Sequence, residues 1–173
     1  MKGLAPIACL CLLSHAVYAY EPEPVVYVGA SFSQIDYSED NADLDFGVVS
    51  GKFGAIINEY LALELRYGVG IEDDSLYGVD VKVSSLMGGY LRVGMPVADK
   101  VYPYLVLGRS KGELEARVSG VSVEEDSSDF SYGLGANFAF PSSDVQLSVE
   151  YMRLFDKDSY EVDGVSIGLQ LEY

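Results

Sequence analysis

The side chains in this sequence that are best suited to chemistry are carboxylates. Adjacent acidic residues occur at Asp73-Asp74 and Glu124-Glu125-Asp126, and a dense acidic stretch spans residues 36–45. Carboxylates act as acid–base catalysts or as Ca²⁺ and Mg²⁺ ligands. Adjacent carboxylates on a polar connection are usually only solvated, and residues 36–45 lack the EF-hand spacing. We expect no cofactor and no dedicated metal site, and weak divalent-cation binding stays open as an alternative.

The first residues have the layout of a secretory signal peptide. Lys2 precedes an apolar run over residues 4–13, and Val17-Tyr18-Ala19 supplies a small-residue cleavage pattern. The run is shorter than the about 20 residues that a transmembrane helix needs. A lipoprotein signal ending at Cys9 or Cys11 would have a very short apolar core. We predict that residues 1–19 are removed after Ala19 and that residues 20–173 form one mature domain.

Removal of residues 1–19 limits the chemistry of the mature chain. Both cysteines and the single histidine, His15, are lost with them. The usual zinc ligands and the commonest general base are therefore missing from residues 20–173. The mature chain keeps 10 basic residues against 27 acidic ones, a formal charge of −17. This charge excludes a nucleic-acid partner; it suits basic partners or divalent cations, or only keeps connections solvated.

Apolar residues alternate with small or polar ones along the mature chain, which is the periodicity of β-strands. Residues 61–71 show it best, since Leu61, Leu63, Leu65, Tyr67, Val69 and Ile71 share one face. No apolar run of 18 residues is present to form a membrane helix. The pattern predicts eight strands of about ten residues each, near residues 26–33, 49–55, 61–71, 79–93, 102–111, 130–140, 145–151 and 165–173. The segment 102–111 is ambiguous, because Arg109 and Lys111 share a parity with Leu105 and Leu107.

The connections between these segments alternate in length. Those at 36–45, 72–78, 112–129 and 153–163 are long and acidic, whereas those at 58–60, 95–100 and 141–144 are shorter. Transmembrane barrels have short periplasmic turns and longer extracellular loops, and their tilted strands need about 9–11 residues. The sequence therefore predicts an all-β, eight-stranded, antiparallel up-and-down transmembrane β-barrel with its long connections outside the cell.

A soluble β-sandwich or a lipocalin would also have alternating strands. Glycine on the polar faces argues against the sandwich, because glycine weakens a solvated strand but suits the narrow inside of an eight-stranded barrel. In a lipocalin the apolar face would line the interior, whereas here it is nearly unbroken and suits lipid. Val83 and Met87 both belong to this apolar face, so the alternation predicts that both side chains point outward. Aromatic residues near strand ends are candidates for interfacial girdles: Tyr60, Tyr102, Tyr104, Phe138, Phe140 and Tyr173.

The inward faces carry a small set of charges. Parity and strand direction bring Lys52, Glu64, Arg66 and Glu150 to a similar height, with a summed charge of zero, and suggest a second pair, Arg92 and Glu172, nearer the periplasm. Isolated charges in a narrow lumen are costly, so pairing is expected. The alternative is that these side chains point into lumenal water. Pairing predicts a closed lumen.

The chain resembles the OmpA/OmpX-type superfamily of outer-membrane β-barrels, the small "porin family" proteins. The resemblance covers residues 25–173. It rests on Tyr27-Val28-Gly29-Ala30, on Asn58-Glu59-Tyr60-Leu61, on Tyr102-Pro103-Tyr104 before Gly108, and on the terminal Tyr173. It implies an eight-stranded barrel in which Tyr173 is the signal read by the outer-membrane assembly machinery. Unlike OmpA itself, the sequence has no peptidoglycan-binding domain after the barrel.

Three functions compete for such a barrel. A structural or adhesin-like surface protein displaying acidic extracellular loops is favoured, and a narrow small-solute pore is the alternative. An enzyme is disfavoured, because outer-membrane enzymes of this type resemble one another in using histidine. Expected partners are outer-membrane lipid and lipopolysaccharide, the assembly machinery, and a host or cell-surface ligand at the loops. The predicted location is the outer membrane of a Gram-negative bacterium, reached through a cleaved signal peptide.

Overall fold

The computed structural model describes residues 25–39, 42–72, 74–76, 79–97, 100–118, 121–157 and 160–173. The predicted signal peptide, residues 1–19, lies outside them. No helix among these residues is long and apolar enough to cross a bilayer. The described chain forms the strands β1 (Val25–Glu39), β2 (Ala42–Asn58), β3 (Leu61–Gly70), β4 (Asp74–Leu76), β5 (Val79–Gly94), β6 (Val101–Val118), β7 (Val121–Ala139), β8 (Val145–Lys157) and β9 (Tyr160–Glu172).

Eight of these strands close into a barrel. Hydrogen-bonded neighbours follow the order β3-β2-β1-β9-β8-β7-β6-β5, and β3 pairs with β5 to complete the ring. The short β4 pairs with β5 in a hairpin between the third and fourth barrel strands. The predicted eight-stranded, antiparallel, up-and-down barrel is confirmed. Closure lets the backbone N–H and C=O groups of every strand form hydrogen bonds with a neighbouring strand. Such pairing is required inside a bilayer, because its hydrocarbon contains no water to replace these bonds.

A continuous apolar belt surrounds the barrel at the end that carries the short turns. Leu65 is 65% exposed and Leu134 is 59% exposed on the outer surface. Water would penalise such a surface by about 25 cal/mol per Å² of apolar area, so the belt is the lipid-facing zone. Its large members include Val28, Phe32, Phe53, Leu63, Leu65, Tyr67, Leu105, Leu134, Val165, Ile167 and Leu169. Because short turns are periplasmic in outer-membrane barrels, the opposite end is the outer end.

The segments predicted as long connections are largely strand, so this part of the prediction was wrong. In residues 36–45, Asp36 pairs with Asp45 and the ladder continues to Glu39 and Ala42. Residues 112–118 and 121–129 continue β6 and β7, and residues 153–157 and 160–163 continue β8 and β9. From Arg109 to Val118, β6 rises roughly 30 Å along its own direction at about 3.4 Å per residue.

Above the belt, apolar residues face the inside of the barrel and polar residues face outward, the reverse of their arrangement in the belt. Ile35 and Phe46 are buried inside the barrel, whereas Asp36 and Asp45 face outward. Polar-out and apolar-in is the pattern of a β-structure in water, so acidic residues at alternate positions here mark strands and not loops. We call this part the extension; it comprises residues 34–39, 42–47, 74–76, 79–86, 109–118, 121–129, 153–157 and 160–164.

A β-bulge corrects one predicted face on β5. The register between β5 and β6 shifts between Val83 and Ser85. Parity along the sequence places Val83 on the same outward side as Met87, but the extra residue of the bulge reverses the faces. Val83 is therefore buried inside the extension, at 7% exposure, while Met87 stays in the belt.

The structure also shows which side chains of residues 102–111 on β6 point outward and which point into the lumen. Leu105, Leu107 and Arg109 face outward, so Arg109 leaves the apolar belt at its outer edge. Tyr104 is only 4% exposed and points into the lumen, and Tyr102 packs against the buried core. The prediction that Tyr102 and Tyr104 belong to an interfacial girdle was therefore wrong.

Candidate functional site

The six charged residues singled out from the sequence all lie on inward-facing positions. Lys52 is on β2, Glu64 and Arg66 are on β3, Arg92 is on β5, and Glu150 and Glu172 are on β8 and β9. Backbone register places Lys52 opposite Arg66 and Arg92 opposite Ala62. Lys52, Glu64, Arg92 and Glu150 are each less than a tenth exposed.

Arg66 joins opposite sides of the lumen. Its Nε donates to Glu64 Oε1 on the same strand, and its Nη1 donates to Glu150 Oε1 on β8. Its Nη2 donates to Glu150 Oε2 at 2.9 Å. The second and third contacts form a two-pronged guanidinium–carboxylate pair, the arrangement in which such pairs are strongest.

Glu64 is the carboxylate that two arginines share. Arg92 Nη1 lies 3.1 Å from Glu64 Oε2 and donates to the Tyr27 hydroxyl at 2.9 Å. The Tyr27 hydroxyl in turn donates to Glu64 Oε2. Glu64 is 2% exposed, so its charge is compensated almost entirely by these neighbours.

The expected pairing of Arg92 with Glu172 is replaced by the contact between Arg92 and Glu64. Glu172 instead accepts from Gln146 Nε2 at 2.8 Å and from Gln170 Nε2 at 3.3 Å. Gln170 Oε1 lies 3.4 Å from Arg92 Nη1 and connects the two levels. The stagger of the strands sets these heights, and parity along one strand does not specify it.

Lys52 lies in the same layer, and its hydrogen-bonding partner is a serine and not a carboxylate. Its Nζ donates to Ser148 Oγ on β8 at 2.9 Å. Three cations, Lys52, Arg66 and Arg92, therefore share the layer with two carboxylates, Glu64 and Glu150. The neutral set of four predicted from the sequence is extended by Arg92.

Three inward tyrosines, which were not predicted from the sequence as site residues, complete the site. The Arg92 guanidinium carbon is 3.9 Å from the ring centroid of Tyr104, and that of Arg66 is 4.7 Å from the Tyr90 ring. Such cation–π contacts stabilise partly desolvated guanidinium groups. The Tyr104 hydroxyl also donates to Glu150 Oε2 at 3.1 Å. The alternation on β1 and β5 does place Tyr27 and Tyr90 on the polar face, so their position was visible in the sequence.

Glycines on the inward face provide the space for these rings. A Cβ added to Gly54 would lie 2.1 Å from the Tyr27 ring, and one added to Gly135 would lie 2.7 Å from the Tyr104 ring. A side chain at either position would overlap the tyrosine. The glycine-rich polar face therefore reflects the packing of a filled lumen.

Two cavities inside the barrel lie on either side of the charged layer. A periplasmic cavity of about 260 Å³ is bounded by Tyr27 and Arg92, and a cavity of about 40 Å³ lies beyond it beside Arg66 and Glu150. We define the lumen network by its charged and tyrosine members, which lie between these spaces: Tyr27, Lys52, Glu64, Arg66, Tyr90, Arg92, Tyr104 and Glu150. Its contacts join β3 to β8 across the lumen between these cavities.

Residues 36–39 and 42–45 of the acidic segment pair as antiparallel strands. Asp36 and Asp45 face each other across the two strands. In the part of the chain that the structure describes, no group of three or more Asp, Glu, His or Cys side chains is arranged to hold a metal ion.

The terminal Tyr173 lies at the periplasmic end of β9. Its backbone N–H donates to the Val26 carbonyl at 2.9 Å, while its side chain is 71% exposed. The ladder therefore anchors the backbone, and the ring adds little packing within the barrel.

Replacement of Tyr173 with serine is expected to slow barrel assembly in cells while leaving refolding of purified protein into detergent nearly unchanged. The physical reason is that the exposed ring is available to the assembly machinery and contributes little to the folded barrel. The folded fraction on unboiled gels measures both. Equal losses in cells and in detergent would mean that Tyr173 is a packing residue.

A closed barrel with an apolar belt outside and a polar network inside defines the class of transmembrane barrels. Residues 5–172 match the model of the outer membrane protein beta-barrel domain family. This match spans nearly the whole chain, and the protein belongs to that family and to the outer membrane of a Gram-negative bacterium. No curated protein sequence matches the chain.

Solved structures of outer-membrane barrels share the fold. The chain is 15% identical to Ail of Yersinia pestis, solved with the heparin analogue sucrose octasulfate, over 88% of this chain and 100% of that one, with a TM-score of 0.68. Neisserial surface protein A is 17% identical over 86% and 97%, also with a TM-score of 0.68. OprG of Pseudomonas aeruginosa is 14% identical over 87% and 96%, with a TM-score of 0.55.

Proposed function

We propose that this protein is a non-enzymatic surface-interaction barrel, in which a closed lumen supports a rigid extension outside the membrane. The observation that carries this proposal is the inversion of face polarity above the belt. Strands that merely connected membrane segments would not need a buried core such as Ile35, Phe46 and Val162. A packed core holds the extension in one shape, which preorganises its outer surface for a partner.

The charge of the outer surface selects the class of partner. Asp36, Asp45, Asp156 and Glu161 are exposed on the extension. The hydrogen bond between Asp36 and Asp45 raises the pKa of Asp36 above its usual value, and burial adds to the effect. Crowded carboxylates favour a basic protein surface and repel polyanions. Ail was solved with a sulfated heparin analogue; this extension has the opposite preference.

The lumen network argues against the pore alternative, because eight strands leave an interior that side chains alone can fill. Outer-membrane lipid and lipopolysaccharide contact the belt, and the assembly machinery recognises Tyr173. Residues 1–19 serve as the export signal and are removed after Ala19.

A binding comparison in bilayer nanodiscs tests the interaction function. The triple variant Asp36→Asn, Asp45→Asn, Glu161→Gln is compared with wild type for attachment to cultured host cells and to immobilised matrix proteins. We expect at least a tenfold loss of binding, and a binding constant of wild type that falls as salt rises. The matched control is Glu172→Gln, which alters a carboxylate at the periplasmic end. Equal binding by wild type and the triple variant would refute the surface-interaction function.

A further inference from the structure

The extension contains an apolar cavity of about 120 Å³ above the polar layers of the lumen. Most of its walls are aliphatic and aromatic side chains; Leu86 is half-buried, and the buried ones include Ile35, Phe46, Leu154, Phe155 and Val162. Below it, the hydroxyls of Tyr90, Ser110 and Ser131 form a hydrogen-bonded layer, with Tyr90–Ser110 at 2.6 Å and Ser110–Ser131 at 2.7 Å. This hydroxyl layer lies between the cavity and the charged members of the lumen network.

Two irregularities of the strands shape the cavity. The bulge on β5 turns Val83 inward, and a second register shift, between Arg153 and Phe155 on β8, brings Phe155 inward as well. The Phe155 ring lies 3.2 Å from the position of a Cβ on Gly112, so Gly112 leaves the space in front of this ring. Bulges that redirect side chains are characteristic of barrel rims and binding sites.

One side of the cavity carries polar groups. Ser127 Oγ lies 2.8 Å from the Tyr160 hydroxyl and accepts from Lys157 Nζ at 2.9 Å. Glu113 accepts from Ser85 Oγ at 3.0 Å. Ser127, Tyr160 and Glu113 all line the cavity and are partly exposed. A molecule inside it therefore meets hydroxyl groups at one wall and hydrocarbon elsewhere.

The wall that carries Ser127 and Tyr160 lies beside a seam, where β7 and β8 adjoin without a hydrogen-bonded ladder. The ladder between β7 and β8 ends at Tyr132 and Arg153. Beyond that pair, Ser131 Oγ lies 2.7 Å from the Leu154 carbonyl, and Asp129 accepts from the Asp156 backbone N–H at 3.2 Å. Here β7 and β8 are held by side-chain contacts and not by a continuous ladder, so the barrel wall beside the cavity is less continuous at this seam.

We propose that this cavity is a binding site for a small neutral molecule with one aromatic ring and one hydrogen-bonding group. The size fits, because an apolar cavity of about 150 Å³ in another protein stays dry and takes up benzene. Glu113, the one charged residue among those that the structure describes in the lining, is already held by Ser85 and Lys111, so a charged ligand would lose its hydration without a free counter-ion. The hydroxyls of Ser127 and Tyr160 provide for one polar substituent at the edge of an otherwise hydrocarbon space.

Titration of the methyl-labelled barrel with phenol in bilayer nanodiscs tests this site. Methyl resonances of Ile35, Leu154 and Val162 are expected to shift along a saturating curve. Phenol also partitions into the bilayer, so lipid-facing Val165 and Ile167 report that background as a shift linear in concentration. Linear shifts alone at the three cavity residues would overturn the proposal.

Variants that fill the cavity provide a second test. Val162→Phe and Gly112→Leu fill it from different strands and are expected to raise the half-saturation concentration of phenol at least tenfold. Val165→Phe adds the same bulk on the lipid side and should leave the curve unchanged. Unchanged saturation in whichever filled variant folds would overturn the proposal. If neither variant folds, the wild-type titration decides between site and partitioning.

Discussion

Glu64→Ala is expected to lower the free energy of unfolding by about 3–5 kcal/mol, the usual cost of removing one partner from a buried ion pair. Glu64 is the carboxylate that Arg66 and Arg92 share, and it also accepts from Tyr27. After its loss, Arg66 keeps Glu150, but Arg92 keeps only the Tyr27 hydroxyl, a weak contact with Gln170 and the tyrosine rings. The unpaired charge on Arg92 dominates the expected effect.

Urea unfolding in lipid vesicles measures this change. We expect the loss of stability to follow the order Glu64→Ala, Glu150→Ala, Glu172→Ala, because Glu150 serves one arginine and Glu172 accepts from glutamines. Combination of Glu64→Ala with Arg66→Ala should give a coupling energy clearly different from zero in a double-mutant cycle. If Glu64→Ala costs no more than Glu172→Ala, the lumen network does not stabilise the barrel.

Gly54→Val is expected to prevent formation of the folded barrel. A Cβ at residue 54 would lie within 2.4 Å of three atoms of Tyr27, including the hydroxyl that contacts Glu64 and Arg92. The ring is 1% exposed and its hydroxyl is held by Glu64 and Arg92, so moving the ring aside breaks these contacts. The backbone or the network must therefore shift, which costs more than the gain in strand propensity of valine.

The same strand offers a matched control for this substitution. A Cβ on Gly51 would meet nothing within 4 Å, so Gly51→Val should fold at wild-type yield. Gly54→Val combined with Tyr27→Ala should recover folded protein relative to Gly54→Val alone, since the clash is removed. The folded fraction on unboiled gels is the readout. Equal folding of Gly54→Val and Gly51→Val would contradict the assigned packing of Tyr27.

The number, direction and lipid face of the barrel strands were predictable from the sequence, because a side-chain period of two is a local property. Parity also placed Lys52, Glu64, Arg66 and Glu150 inside. Strand direction also brought these four to one height, and Arg66 does contact Glu64 and Glu150. The partner of Arg92 was not predictable, since the relative heights of the strands depend on stagger and tilt. Arg92 shows this: its partner is Glu64 on the neighbouring β3 and not Glu172 on β9.

The extension was not predicted, because its acidic residues were assigned to loops on the basis of their composition alone. Asp36, Asp45 and Asp163 occupy outward positions of continuous strands, and the apolar residues between them face a core. On either side of Gln34 the apolar residues change from outward to inward positions, and this change was present in the sequence. Strands in lipid and strands in water both alternate apolar and polar residues, however, and differ only in which face of the barrel is apolar. The bulge at Val83 is harder to predict, because one inserted residue resets the parity without any change in composition.

Single-channel recording in planar bilayers tests most directly the claim that the lumen is closed. Wild type is expected to show no steady conductance, because the lumen network lies between separate cavities. Glu64→Ala and Glu150→Ala should introduce leakage, since they free the cross-lumen contacts of Arg66. A large, stable wild-type conductance that neither substitution alters would contradict the closed lumen and establish the barrel as a pore.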